Sequence, residues 1–64
     1  MKLLINAQEK NIEHSNLAQL VQDLGYERPV VIAVNHVHIL RSQWESYTLY
    51  ENDSVDVLMA IVGG

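Results

Sequence analysis

The alternation of apolar and polar residues at the start of the chain predicts a β-hairpin. In "KLLIN", Leu3 and Ile5 lie on one side of a strand, and Lys2, Leu4 and Asn6 lie on the other. The polar stretch "AQEK" predicts a turn, and "NIEH" predicts a short second strand that pairs back on the first.

A change of period at residue 16 predicts a single helix. Four apolar residues with the spacing i, i+3, i+4, i+7 form one amphipathic stripe: Leu17, Leu20, Val21 and Leu24. Asn16 is the expected N-cap, and Gln19, three residues on, completes a variant capping box. Gly25 supplies a left-handed stop, and Pro29 prevents the helix from continuing.

The second half of the chain predicts strands that are separated by tight turns. "VVIAVN" is continuously apolar and β-branched, which is typical of a strand covered on both faces or central in a sheet. A reversal at Asn35-His36 leads into a short returning strand, and Ser42 can start a helical turn. "YTLYEND" predicts another short strand and a turn, and "SVDVLMAIV" is the last strand.

Together these elements predict an α+β fold, with a mixed sheet of four to five strands packed on one helix. We expect residues 1–64 to form one domain. A domain of this size buries only about 60% of the surface of its unfolded chain, which leaves little room for a deep catalytic pocket. The first and last strands, if they are central neighbours, would run parallel. The pattern leaves the order of the other strands open.

Composition and charge narrow the classes of function. The formal net charge is -4, so a nucleic acid backbone would be repelled and a protein with a basic surface is the better partner. The chain has no cysteine, which excludes disulfides, thiolate metal sites and a cysteine nucleophile, and is consistent with the cytoplasm. A membrane span needs about 20 apolar residues, far more than any apolar run here, and the N-terminal stretch does not resemble a signal peptide.

The last strand presents two different faces by parity. The continuous set assigned to the core is Val55, Val57, Met59 and Ile61. The other set begins with a charge and is predicted to form an exposed strip for partner binding: Asp56, Leu58, Ala60 and Val62. Isolated apolar residues on a surface are ordinary, but this strip leads directly to the end of the chain.

Gly63 and Gly64 follow that strip, and two terminal glycines arise by chance in roughly one chain in 200. Glycine has no Cβ, so a flexible diglycine tail, residues 62–64, can enter a narrow channel in a partner. The α-carboxylate at its tip has a reference pKa of about 3.3–3.7 and is ionised at neutral pH. The chain has no glycine-rich phosphate loop, so any ATP that activates this carboxylate must be bound by another protein.

Other residues with chemical potential favour simpler interpretations. His36 and His38 form an H-x-H pair and His14 is a third histidine, but without a further ligand at a diagnostic spacing we expect exposed histidines and no metal site. Trp44 is expected to close one end of the core, with a contact at a partner surface as the alternative. An acidic, solvated surface is expected from six residues: Asp23, Glu27, Glu45, Glu51, Asp53 and Asp56.

Four stretches carry a family resemblance: "KLLIN", "NLAQLVQDL", "VIAVNHVHILRSQW" and "ENDSVDVLMAIVGG". With them the whole chain resembles the ThiS family, the ubiquitin-like β-grasp sulfur carriers of thiamine biosynthesis. Two turns depart from the family pattern. His36 stands where a glycine is common, and residues 51–53 replace a turn of the Asp-Gly-Asp type, although Asn52 can adopt the glycine conformation. Neither departure touches the tail.

The resemblance implies a carrier and not an enzyme, with its chemistry at Gly64. A ThiF-type adenylating enzyme, similar to the ubiquitin-activating class, would adenylate the Gly64 carboxylate with ATP and Mg²⁺. A sulfur relay from a cysteine desulfurase would convert the adenylate to a thiocarboxylate, and a ThiG-type thiazole synthase would receive the sulfur. The resemblance implies no stably bound cofactor on the carrier itself.

Three other functions stay open on the sequence. The first is a small subunit of the molybdopterin synthase type or another sulfur carrier, although the molybdopterin relatives tend to carry prolines before the terminal glycines and "MAIV" has none. The second is a modifier that is conjugated to lysines, and the third is a plain protein-interaction domain with an inert tail. An independent enzyme has the least support, because no nucleophile and base stand at a useful spacing.

Overall fold

The structure is a computed structural model that describes residues 1–26 and 29–59. Its elements, in chain order, are β1 (Lys2–Ile5), β2 (Gln8–Asn11), α1 (Leu17–Leu24), β3 (Val30–Val34), β4 (Val37–Ile39), a 3-10 helix (Arg41–Ser46) and β5 (Ser54–Met59). The described part of the chain contains no helix with the length and hydrophobicity needed to cross a membrane. The predicted tail, residues 62–64, lies outside the described residues.

The five strands form one mixed sheet in the order β2-β1-β5-β3-β4. β5 occupies the centre, parallel to β1 and antiparallel to β3, while β1–β2 and β3–β4 are antiparallel hairpins. The prediction of a mixed sheet of four to five strands on one helix is therefore confirmed. The first and last strands are neighbours and run parallel, an arrangement that the sequence pattern gave only as a condition. α1 covers one face of the sheet through Leu17 and Leu20, which are fully buried.

The ends of α1 are those that the sequence predicts. Asn16 is the N-cap, and its Oδ1 accepts a hydrogen bond from the backbone N of Gln19 at 3.0 Å. Gly25 ends the helix with φ 73°, in the left-handed region. The second half of the predicted capping box is not made, because the Gln19 amide instead donates to Asp23 one turn along the helix, at 2.9 Å.

The first hairpin turns earlier than the sequence predicts. Its two turn residues, Asn6 and Ala7, have φ of 50° and 67°, the pair of positive values that a two-residue hairpin turn requires. Gln8 therefore already belongs to β2, and the stretch "AQEK" is mostly strand and not turn. The prediction was wrong because Ala7 carries no sequence signal for positive φ. The second predicted reversal is correct: Asn35 and His36 have φ of 51° and 69°.

The segment between β4 and β5 differs from the prediction in two respects. The 3-10 helix begins at Arg41 with Leu40 as its N-cap residue, so Ser42 does not start it. The strand predicted around Tyr47–Tyr50 is reduced to one isolated bridge between Thr48 and Asn16. The segment pairs there with the residues that precede α1, since the backbone N of Leu49 donates to the carbonyl of Ser15 at 2.6 Å. Asn52, at φ 70°, forms the predicted turn.

The core lies between α1 and the inner face of the sheet. Eleven buried apolar residues form it: Leu3, Ile5, Leu17, Leu20, Ile32, Val34, Ile39, Trp44, Leu49, Val55 and Val57. Trp44 closes one end, as predicted, and its indole N–H donates to the carbonyl of Ile39 at 3.1 Å. Val21 and Leu24 of the predicted stripe pack on this core but are only partly buried.

One burial prediction for the strands needs correction, and one is decided between its two alternatives. Met59 is 52% exposed and does not join the core. Met59 is the last residue of β5 and pairs with Val30, the first residue of β3, so it lies at the outer end of this pair of strands. For β3, the second of the two predicted alternatives holds: the strand is interior in the sheet. It is not covered on both faces, because Val31 is 39% exposed. Ile61 lies outside the described residues.

Candidate functional site

The predicted partner strip begins on the outer face of the sheet, the face opposite α1. Leu58 is 62% exposed and Asp56 is half-buried there, as the parity of β5 predicts. Val55 and Val57, which alternate with them, are buried on the inner face. The four remaining predicted site residues lie outside the described residues: Ala60, Val62, Gly63 and Gly64.

Val31 on the neighbouring strand completes an apolar patch with Leu58. The two residues are direct partners in the antiparallel β3–β5 register, so their side chains lie side by side on the outer face. The next pair along the same register is Ala33 with Asp56, and Ala33 also pairs with His38 of β4. The outer face therefore carries an exposed apolar pair at the end of β5, followed by a row that holds a carboxylate and an imidazole.

The sequence pattern does not identify Val31 as a member of this exposed patch. The run "VVIAV" contains no polar residue, so parity alone does not reveal which of its side chains leave the core. A signal was present nevertheless: if Ile32 and Val34 face the helix, then Val31 and Ala33 must face away. The strand pairing then places Val31 beside Leu58, which no local pattern contains.

The first half of β5 is held by side chains from two turns. Asn35 donates through Nδ2 to Asp53 Oδ1 at 3.0 Å, and Asn35 Oδ1 accepts from the backbone N of Ser54 at 3.0 Å. At the other edge of the strand, Asn6 Oδ1 accepts from the backbone N of Val57 at 2.8 Å. These bonds fix the start and the middle of β5 within the sheet.

Two of the predicted solvated acidic residues have a structural role. Glu51 accepts a hydrogen bond from the backbone N of Lys2 at 2.6 Å, and Asp53 accepts from the backbone N of Tyr50 at 2.9 Å as well as from Asn35. Both carboxylates thus fasten the turn that leads into β5. Asp23 and Glu45 are exposed, as expected, and Glu27 lies outside the described residues.

All three histidines, His14, His36 and His38, are exposed, as predicted. Within residues 1–26 and 29–59, no group of three or more histidines or carboxylates is arranged to hold a metal ion. A shallow groove of about 360 Å³ lies between α1 and the 3-10 helix, bordered by Tyr26, Arg41 and Trp44. The Arg41 guanidinium lies 5.9 Å from the centre of the Trp44 ring, which is a cation–π distance. This wall of the groove is therefore formed by a contact between two side chains of the 3-10 helix.

The fold and the position of the site define a class of protein. The domain has a five-stranded mixed sheet with a parallel pair, β1 and β5, and one helix that covers the sheet. Its last strand precedes a Gly-Gly sequence. These features define a ubiquitin-like β-grasp domain. The family model of the ThiS family matches residues 3–64. The chain belongs to the ThiS family.

A solved structure supports the same fold. The crystal structure of a thiamine biosynthesis protein (ThiS) from Geobacter metallireducens superposes with a TM-score of 0.86 at 22% sequence identity, and the match covers 100% of both chains. At this identity the likeness speaks for the architecture alone. No match is found among curated proteins.

Proposed function

We propose that the chain is a sulfur carrier in thiamine biosynthesis and that the carboxylate of Gly64 carries the sulfur. The observation that carries this proposal is the extent of the family match, which runs over residues 3–64 and so includes both terminal glycines. The β-grasp fold supports it, because a compact body of this type can present its C-terminus to another protein's active site.

The chemistry takes place at main-chain atoms and is performed by partners. A ThiF-type adenylating enzyme binds ATP and Mg²⁺, a carboxylate oxygen of Gly64 attacks the α-phosphorus, and pyrophosphate leaves. A persulfide from a relay that starts at a cysteine desulfurase then attacks the acyl carbon through its outer sulfur, and AMP leaves. A thiol of the relay cleaves the resulting acyl disulfide, which leaves a disulfide on the relay and releases the thiocarboxylate. The chain has no cysteine, so the sulfur comes from another protein. A ThiG-type thiazole synthase accepts the sulfur for the thiazole ring.

In this proposal the part of the protein that the structure describes provides the surface to which the partner enzymes bind. The exposed pair of Val31 and Leu58 offers an apolar contact at the end of β5, and Asp56 in the next register row offers a carboxylate to a partner's Lys or Arg. A net charge of -4 favours a basic partner surface. We place these reactions in the cytoplasm, and we assign the chain the role of co-substrate and not of enzyme.

Mass spectrometry of the intact protein from its native host tests the proposal. A fraction of the molecules is expected to carry one sulfur in place of one oxygen at the C-terminus. Deleting Gly64 is expected to abolish sulfur transfer and to leave the melting temperature nearly unchanged. Thiazole formation with the deleted form would contradict the proposal, and so would isopeptide linkage of Gly64 to lysines as the main product.

A matched variant separates the carboxylate from the glycine residue. A 64-residue chain is within reach of chemical synthesis, so Gly64 can be made as the C-terminal carboxamide. This form keeps every side chain and all backbone atoms except one oxygen. It is expected to bind the adenylating enzyme and to give no adenylate, since it has no carboxylate to activate.

A further inference from the structure

β5 extends well beyond its pairing with β1, the partner strand on one of its sides. The parallel pairing with β1 covers only Leu4 with Ser54 and Ile5 with Val55, whereas β5 continues to Met59. On the other side β3 pairs with β5 as far as Met59. The β1 edge of β5 is therefore left without a strand after Val55, within the residues that the structure describes.

The side chain of Asn6 ends the pairing on that edge. The backbone N of Asn6 donates to the carbonyl of Val55 at 2.9 Å, and Asn6 Oδ1 then accepts from the backbone N of Val57 at 2.8 Å. Asn6 and Ala7 form the hairpin turn, so the chain turns away from β5 immediately afterwards. The Asn6 side chain thus takes the place of the backbone carbonyl that a longer β1 would supply, and it accepts the hydrogen bond from the backbone N of Val57.

The parity of a strand identifies the backbone groups beyond that point. Main-chain groups alternate between the two edges, and Val55 and Val57 both bond towards the β1 side. The carbonyl of Val57 and the N–H and carbonyl of Met59 therefore lie along the same edge. Residues 57–59 contain no lysine or proline, the residues with which proteins commonly protect an open edge.

We propose that this open edge of β5 binds an extended segment of the adenylating enzyme, which adds a strand beside Val57–Met59. The inference rests on the proposed function and names how the partner recognises the carrier. An alternating row of one donor and two acceptors is matched by extended backbone, and such pairing is a common mode of peptide recognition. Leu58 and Met59, which are 62% and 52% exposed, provide side-chain contacts on the two faces of the same segment.

Position and charge support this occupant. Gly64 is five residues beyond Met59, at most about 18 Å along an extended chain, so a strand bound at Met59 holds the protein directly before the segment that must be guided into the active site. The net charge of -4 and the half-buried carboxylate of Asp56 beside this edge favour a segment with lysine or arginine.

Replacing Met59 tests the backbone contact separately from the side chain. Met59→Pro removes the N–H on the open edge, while the pairing of Met59 with Val30 needs no N–H from Met59, because Asp56 and Leu58 bond on the β3 side. Met59→Ala is the matched control, since it removes the side chain and keeps the N–H. We expect Met59→Pro to raise the KM for the carrier in ATP–pyrophosphate exchange about ten-fold over Met59→Ala, as loss of one well-ordered hydrogen bond implies. Equal KM values for the two variants would overturn the inference.

Hydrogen exchange of single amides gives a second readout that side-chain docking alone would not change. In the free protein the amide of Val57 should be protected by Asn6, and the amide of Met59 should exchange fast. In the complex with the adenylating enzyme and ATP, the Met59 amide is expected to become protected. Adenylation of the wild-type chain with an unprotected Met59 amide would refute the added strand alone, whereas no adenylation at all would refute the proposed function together with it.

Discussion

Asn35 and Asp53 join two turns that are 18 residues apart in the chain. The Nδ2 of Asn35 donates to Asp53 Oδ1 at 3.0 Å, and the backbone N of Asn35 donates to the carbonyl of Ser54 at 2.7 Å. The same asparagine accepts from the backbone N of Ser54 through Oδ1. One residue of the β3–β4 turn thereby fixes the position at which the central strand begins.

We expect Asn35→Gly to lower the free energy of unfolding by about 1 kcal/mol. Glycine keeps the positive φ of 51° but removes both side-chain hydrogen bonds to residues 53 and 54. His36→Gly is the control, because His36 also has a positive φ, of 69°, and its side chain is exposed. The control should lose no stability in urea unfolding. An equal loss in both variants would show that the backbone conformation, and not the asparagine side chain, holds the turn.

Trp44→Phe is expected to cost about 1–3 kcal/mol, since it removes the indole hydrogen bond to the Ile39 carbonyl and part of a buried ring. Arg41→Met serves as the control: it keeps the aliphatic stem over the Trp44 ring and removes the charge, at a cost below about 1 kcal/mol. Circular dichroism in urea measures both variants, because Trp44 is the only tryptophan and fluorescence is lost with it. A larger loss for Arg41→Met than for Trp44→Phe would contradict this ranking.

Gly25→Ala is expected to destabilise the domain by about 1–2 kcal/mol through backbone strain alone. Gly25 has φ +73°, and a Cβ added there would meet no atom within 4 Å, so no clash contributes. Gly25→Asn should cost less, because asparagine tolerates the left-handed conformation better than alanine. Thermal unfolding measures both variants. Equal melting temperatures for Gly25→Ala and Gly25→Asn would show that conformational strain at this helix end does not cause the loss of stability.

Leu58→Asp is expected to weaken binding to the adenylating enzyme at least ten-fold while changing the unfolding free energy by less than about 1 kcal/mol, the usual result at an exposed site. Val37→Asp is a closely matched control. Val37 is 61% exposed and Leu58 is 62% exposed, but the two residues lie on opposite faces of the sheet. Val37 pairs with the buried Val34, and directly paired residues of antiparallel strands share a face. The control should bind normally. Equal loss of binding in both variants would mean that added negative charge, and not the outer face, governs recognition.

Local features of the sequence predicted the helix, its two ends and the buried side of the last strand. The spacing of Leu17, Leu20, Val21 and Leu24 gave the helix, and Asn16 and Gly25 gave its ends. Hydrogen bonds and φ preferences at such positions involve residues only a few places apart, so the local sequence is sufficient to specify them. The alternation along β5 likewise predicted that Val55 and Val57 are buried and that Leu58 is exposed.

Only the tertiary structure decided the features that depend on distant residues. Three features arise from which strands lie side by side and how far each extends. They are the exposed pair of Val31 and Leu58, the bond from Val57 to Asn6 across 51 positions, and the exposure of Met59 at the end of β5. Tyr47–Tyr50 has the composition of a strand, but it pairs with the residues before the helix. Periodicity specifies which side of an element is apolar, while the partner of that side is set by packing the whole chain around one core.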